Sequence, residues 1–243
     1  MLAPPPVGAP IPTSPPALRA AYTETTAALD TALTRWAGRG SVPRDVELLA
    51  LYQERIVPLL AAKPRLAQAV PAAREDVIAH ADLVRLSRPY PPRKRITLGV
   101  PRPPLLLRRW YAEAQRRFGV PWNVLAAVNF VESGFGKLRN DSVAGAQGPM
   151  QFMPATWRAY GLGGDVHDAH DAIVGAANYL RANGAPARTR NALSHYNPSP
   201  LYVDAVMRYA GRIARVRTAF LAYYSWSVFV RTTAGVRRVT GPR

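Results

Sequence analysis

Cysteine is absent from all 243 residues, which excludes disulfide bonds and thiolate-held metals. That absence fits the cytosol and many exported bacterial proteins alike. Lysine is nearly missing too: Lys63, Lys94 and Lys137 stand alone among 32 basic residues. Acids number only 15, leaving a net charge of +17. A field of that sign and size draws the chain to polyanions, whether nucleic acid, anionic lipid headgroups or the acidic polymers of a bacterial wall. No run approaches the roughly 18 apolar residues that a membrane span needs. The first 16 residues lack a charged start and an apolar stretch, so they do not read as an export signal. Apolar content of 48% is ordinary for a globular protein and argues against overall disorder.

What is present divides the chain into five stretches. Residues 1–16 hold seven prolines and read as an extended, mobile arm. Residues 17–87 read as a small set of packed helices. In the first, Leu18, Tyr22, Leu29, Leu33 and Trp36 recur at helical spacing until Gly38 and Gly40 stop it. A second runs from Pro43 through Leu48, Leu49, Tyr52 and Ile56, and Pro58 is expected to kink it. A third covers about 71–87. Residues 88–104, RPYPPRKRITLGVPRPP, read as an extended linker or boundary strap, solvated or else in contact with an anionic wall, with a short strand over Ile96 to Val100.

Residues 105–216 read as the functional unit. Helices are expected over 105–118, 121–133, 154–160, 169–182, 189–195 and 200–216, with Pro121 and Pro200 at first-turn positions and Asp168 as a cap. Residues 217–243 read as a terminal β-hairpin, because YYSWSVFVRT and VRRVTG alternate around a glycine turn. The expected fold is mainly α, with a helical N-terminal region and a short C-terminal β-hairpin.

From Leu105 onward the only glutamates are Glu113 and Glu132. Glu113 sits among Arg108, Arg109, Arg116 and Arg117 and reads as a solvated ion-pair partner. Glu132 lies seven residues after Leu125 and four after Val128, on their apolar helix face. Desolvation there favours its protonated form. A protonated carboxyl near neutral pH is what a glycosidic leaving oxygen needs. The same position also suits a glutamate that merely closes a helix or pairs with an arginine.

The neighbours add weight to the catalytic reading. Gly134, Gly136, Gly145 and Gly148 allow a tight loop beside Glu132. Gln147 and Gln151 bracket that loop with amides that donate and accept, suited to sugar acetamido and hydroxyl groups. Tyr196 and Asn197 add a phenol and an amide at a helix break. Trp157, Tyr160 and Tyr202 are candidate sugar-stacking platforms, each also readable as ordinary packing. Residues 163–171, GGDVHDAHD, hold two histidines and three aspartates. Helix capping accounts for them, and neither a metal nor a cofactor is expected.

Three segments carry a resemblance. ESGFG (132–136), AGAQGPMQFMPATW (144–157) and HYNPSPLYVDAVMRYA (195–210) resemble the Glu-Ser, Gly-Leu-Met-Gln and Ala-Tyr-Asn motifs of the soluble lytic transglycosylase family. Order and spacing agree over roughly residues 105–215, in the manner of actinobacterial wall enzymes. The resemblance implies a goose-type lysozyme-like helical domain with Glu132 as the catalytic acid/base. It implies substrate contacts from Ser133, Gln147, Met150, Gln151, Tyr196 and Asn197. The implied reaction cleaves the β-1,4 bond between N-acetylmuramic acid and N-acetylglucosamine without water, giving 1,6-anhydromuramyl ends.

Peptidoglycan glycan strands are the implied partner, anionic wall polymers a further attraction, and the wall or exterior the implied location. Nucleic acid is not expected, since no nucleic-acid fold signature is present, and the chain is read as a monomer. Pro149 stands where the family has leucine, and His195 where it has alanine; both alter the groove wall. Two rivals stay open at this point. One is a hydrolytic lysozyme in which Asp141, Asp165 or Asp168 positions a water. The other is a non-catalytic basic module that binds wall polymer or nucleic acid.

Overall fold

The computed structural model describes residues 3–89 and 95–241. Residues 90–94 of the expected linker, and the chain ends at 1–2 and 242–243, lie outside the described residues. The N-terminal part is helical: α1 (Pro15–Trp36), α2 (Arg44–Ala62), α3 (Pro64–Ala69), a 3-10 turn (Pro71–Ala73) and α4 (Arg74–Leu86). The apolar positions that mark α1 in the sequence, Leu18, Tyr22, Leu29, Leu33 and Trp36, are all buried. α2 runs on through Pro58, which lies inside it. Pro58 lies on the exposed face and removes only the N–H that would meet the Glu54 carbonyl.

Two stretches differ from expectation for the same reason: extended backbone needs partners. Residues 3–14 lie along α2 instead of reaching into solvent. The Tyr52 hydroxyl donates to the Pro10 carbonyl at 3.1 Å, and the Arg55 guanidinium to Val7 and Ala9 at 3.2 and 2.9 Å. Prolines bring carbonyls without N–H groups, and α2 supplies the donors. Residues 95–103 form a strap held by the loop after Glu132. Gly99 N–H donates to the Lys137 carbonyl and Arg139 N–H to the Thr97 carbonyl, both at 2.9 Å. The short strand expected over 96–100 is a single antiparallel bridge, Leu98 to Leu138.

The second half contains α5 (Pro104–Phe118), α6 (Trp122–Ser133), α7 (Pro154–Tyr160), α8 (Ala169–Ala182), α9 (Thr189–Tyr196), α10 (Pro200–Arg215) and α11 (Ala219–Ser225). A hairpin of β1 (Phe229–Thr232) and β2 (Gly235–Arg238) follows, antiparallel, with Phe229 opposite Arg238 and Thr232 opposite Gly235. The hairpin is therefore shorter than the alternation suggests, and α11 takes its first residues. Phe220, Tyr223 and Tyr224 recur at helical spacing and are buried, so tertiary packing overrides the strand preference of these aromatics. None of the described helices is long and apolar enough to cross a membrane.

α6 is the hub of this half, with α5, α8, α10 and α11 against it. α10 also lies on α4, where Arg208 meets Glu75 at 2.8 Å, and the buried Asp76 accepts from the Tyr223 hydroxyl beside Arg212. The buried apolar residues of both halves form one continuous core. The sequence boundary near residue 88 thus does not interrupt the packing that positions α6.

Candidate active site

α6 is apolar on nearly every face, with Leu125, Ala126, Ala127 and Val128 fully buried, as a central helix must be. It ends at Gly134, whose left-handed backbone (φ 59°) turns the chain away while its N–H donates to the Phe130 carbonyl at 2.9 Å. Glu132 stands in this last turn, half-buried. Its Oε1 accepts a hydrogen bond from the Tyr202 hydroxyl at 2.6 Å. Tyr202, in the first turn of α10, is 2% exposed. Tyr196, at the end of α9, lies parallel to the Tyr202 ring at 6.5 Å and donates to the Met150 carbonyl at 2.6 Å.

Burial raises the Glu132 carboxyl to about 7, and the Tyr202 hydrogen bond, which favours the carboxylate, offsets only part of that rise. Burial, then the charge of Glu132, pushes both tyrosine hydroxyls well above their usual range. They therefore stay protonated and donate throughout the neutral range. The arrangement is a carboxyl able to hold and release a proton near pH 7, fixed by one phenol, which is in turn braced by a second ring.

The loop after α6 is shaped by two buried polar residues. The Ser133 hydroxyl donates to the Pro149 carbonyl at 2.6 Å and accepts from Gly136 N–H at 2.8 Å. Asn129, one turn before Ser133, donates from Nδ2 to the Met150 sulfur at 2.9 Å. Gly148 crosses Val166 so closely that a Cβ there would sit 1.9 Å from the Val166 carbonyl oxygen, and its φ is +72°. Gln147 and Phe152 exchange backbone hydrogen bonds at 2.8 and 2.9 Å and close this turn. Gln151 donates from Nε2 to the Gly148 carbonyl at 2.9 Å, which turns its Oε1 toward other donors. Asn197 accepts from Ser199 N–H through Oδ1 at 3.1 Å, which leaves its Nδ2 to donate.

Several expected roles change. Ser133 and Met150 are 3% and 0% exposed. Both are buried, and their polar atoms serve the loop: the Ser133 hydroxyl meets Pro149 and Gly136, and the Met150 carbonyl and sulfur meet Tyr196 and Asn129. Tyr202 is no stacking platform: it is buried and its hydroxyl meets Glu132. Trp157 and Tyr160 belong to an aromatic cluster. Trp157 packs on Phe152 at 5.1 Å and over Gly175, and Tyr160 on Tyr179 at 4.9 Å. Gln147, Gln151, Tyr196 and Asn197 keep partly exposed positions. The contact sequence reasoning missed is Tyr202 to Glu132. The signal available was a phenol on a buried helix face, which requires a polar partner, in a half of the chain with a single acid on an apolar stripe.

The other acids have local work. Asp168 Oδ1 caps α8 by accepting from His170 and Asp171 N–H at 2.8 and 3.1 Å. Asp165 Oδ1 accepts from His167 N–H, and His170 Nε2 lies 3.1 Å from Glu113. Asp168, His170 and Asp171 bring ligand-type atoms within 4.8 Å of one another, but capping and ion pairing already engage them. Asp168→Ala is expected to cost about 1 kcal/mol through the lost cap, lowering Tm by roughly 2–4 °C. A chelator is expected to leave Tm unchanged; a chelator-induced drop would make the cluster a metal site.

Residues 109–215 match the family model described as Transglycosylase SLT domain. A similar protein is membrane-bound lytic murein transglycosylase F of Thiobacillus denitrificans (strain ATCC 25259 / T1), 31% identical over 112 residues, covering 43% of this chain and 23% of the relative. The chain thus spans about a quarter of the length of that curated relative. No solved structure matches.

Proposed function

We propose that the protein is a peptidoglycan lytic transglycosylase in which Glu132 is the single acid and base. The observation that carries this is the environment of Glu132. Burial holds its proton near neutral pH, Tyr202 fixes its geometry, and no second carboxylate among the described residues acts on it. A glycosidase of the ordinary kind uses two carboxyls. Here the substrate supplies what the protein lacks.

Glu132 donates its proton to the glycosidic oxygen as the bond from the muramyl C1 breaks. The acetamido group of the same sugar assists at C1. The muramyl 6-hydroxyl then attacks C1 and gives its proton to the Glu132 carboxylate. One C–O bond breaks and one forms, no water enters, and a 1,6-anhydromuramyl end results. Gln147, Gln151 and Asn197 present amide groups for the acetamido and hydroxyl groups that flank the cut. The net charge of +17 favours residence on an anionic wall, outside the cytoplasm.

Tyr202→Phe is expected to lower kcat about 10- to 100-fold, the worth of one hydrogen bond to a charged group. Its sign is fixed. The lost bond favoured the carboxylate, so the alkaline limb of the pH–rate profile should move upward. A downward shift would place Tyr202 in another role. Digestion in 18O-labelled water tests the reaction itself. Transglycosylation leaves the new muramyl ends unlabelled; hydrolysis, with an aspartate positioning the water, labels them.

A further inference from the structure

Two half-buried charged residues, Lys137 and Glu54, converge on one short segment beside the loop that leaves α6. Lys137 follows Glu132 by five residues. Its Nζ donates to the Tyr224 and Trp226 carbonyls at 2.5 Å each, acceptors at the end of α11. Glu54, from α2, accepts from the next N–H, that of Ser227, at 2.7 Å. An acid from the N-terminal helices and a base from the active-site loop therefore grip one short C-terminal segment.

We propose that Lys137 and Glu54 are positioning residues: a latch that fixes the loop leaving α6, and through it Glu132, making α2 and residues 224–227 part of the catalytic apparatus. The proposal rests on Glu132 being the acid.

Three further features support a latch over incidental packing. First, burial drives the Glu54 carboxyl up and the Lys137 ammonium down, and the charge of each opposes that change in the other. Arg238 of β2 also faces Glu54, and Glu47 faces Lys137. Removing one partner takes away the first-named counter-charge of the other while its desolvation remains. Second, the backbone of the same loop is held by the strap at Gly99 and Thr97. A Cβ on Gly134 would lie 3.0 Å from Val228, so the loop has little slack there. Third, the chain uses arginine almost everywhere, yet lysine stands here. A compact ammonium fits between two carbonyls where a planar guanidinium does not. Catalysis is sensitive to such placement, since a displacement of about 1 Å costs on the order of a hundredfold.

The test uses the full chain. Lys137→Met keeps the length of the side chain and removes its charge; Glu54→Gln keeps an acceptor for Ser227 N–H. Kinetics are measured on sacculi well below each variant's Tm, and amide hydrogen exchange is followed over residues 134–139. The latch predicts a kcat reduced tenfold or more in Lys137→Met with KM unchanged. It predicts a smaller fall in the same direction in Glu54→Gln, and exchange over 134–139 at least tenfold faster in both. A lower Tm with kcat and loop exchange unchanged would overturn it, leaving the pair purely structural. If Lys137→Met does not fold, Glu54→Gln decides alone by the same criteria. Should the wild-type protein release no glycan fragments, the enzymatic reading falls, while the exchange measurement still judges the latch.

Discussion

Glu132→Gln is expected to lower glycan-strand cleavage by about 10²- to 10⁴-fold, the usual worth of a positioned acid or base, and to leave the fold intact. The glutamine keeps the shape and still accepts from Tyr202, but it has no proton to give. The variant also reports on burial. In the folded wild type burial pushes the carboxyl up to about 7 from its ordinary 4.5. Between those values the folded state holds a proton that the unfolded state has released. Stability conferred by Glu132 is thus greatest below about 4.5 and declines as pH rises through about 7. Glutamine does not titrate. The Tm of the variant minus that of the wild type should therefore increase from pH 4 to pH 8, other groups cancelling. A difference independent of pH would mean that Glu132 is not desolvated.

Gly148→Ala carries the largest expected effect on stability. Alanine at φ +72° is strained by about 1–3 kcal/mol, and its Cβ would overlap the Val166 carbonyl, which is backbone and cannot swing aside. A total loss on the order of 3–5 kcal/mol follows, seen as a fall in Tm of roughly 10 °C. Activity should fall with it, because the same turn carries Gln147 and Gln151 and presents the Met150 carbonyl to Tyr196. A variant that melts like the wild type would show that the Gly148 turn is not held against Val166.

Local features of this chain were legible in the sequence. α6 is announced by its apolar run, Pro121 before it and Gly134 after it, and the placing of Glu132 on that stripe follows from helical spacing alone. Asp168 declares itself as a cap, and the loop glycines declare a tight turn. What was not legible depends on partners far along the chain. Tyr202 reaches Glu132 across 70 residues and Glu54 reaches Ser227 across 173, and no periodicity reports such contacts. The proline-rich arm and the strap have local compositions that suit solvent, and partners distant in sequence hold them: donors of α2 for the arm, and the 137–140 edge and Tyr224 for the strap. The misreading at α11 has a different source. Aromatic pairs such as Tyr223-Tyr224 suit strand and helix alike, and burial against the core decides between them.

Glu132 is proposed to cleave glycan strands by passing one proton out and back without admitting water. Mass analysis of the muropeptides released from purified sacculi tests it most directly, with Glu132→Gln as the blank. 1,6-Anhydromuramyl species should dominate the wild-type digest and be absent from the blank. Products one water heavier as the dominant wild-type species would contradict it and assign the protein to hydrolysis.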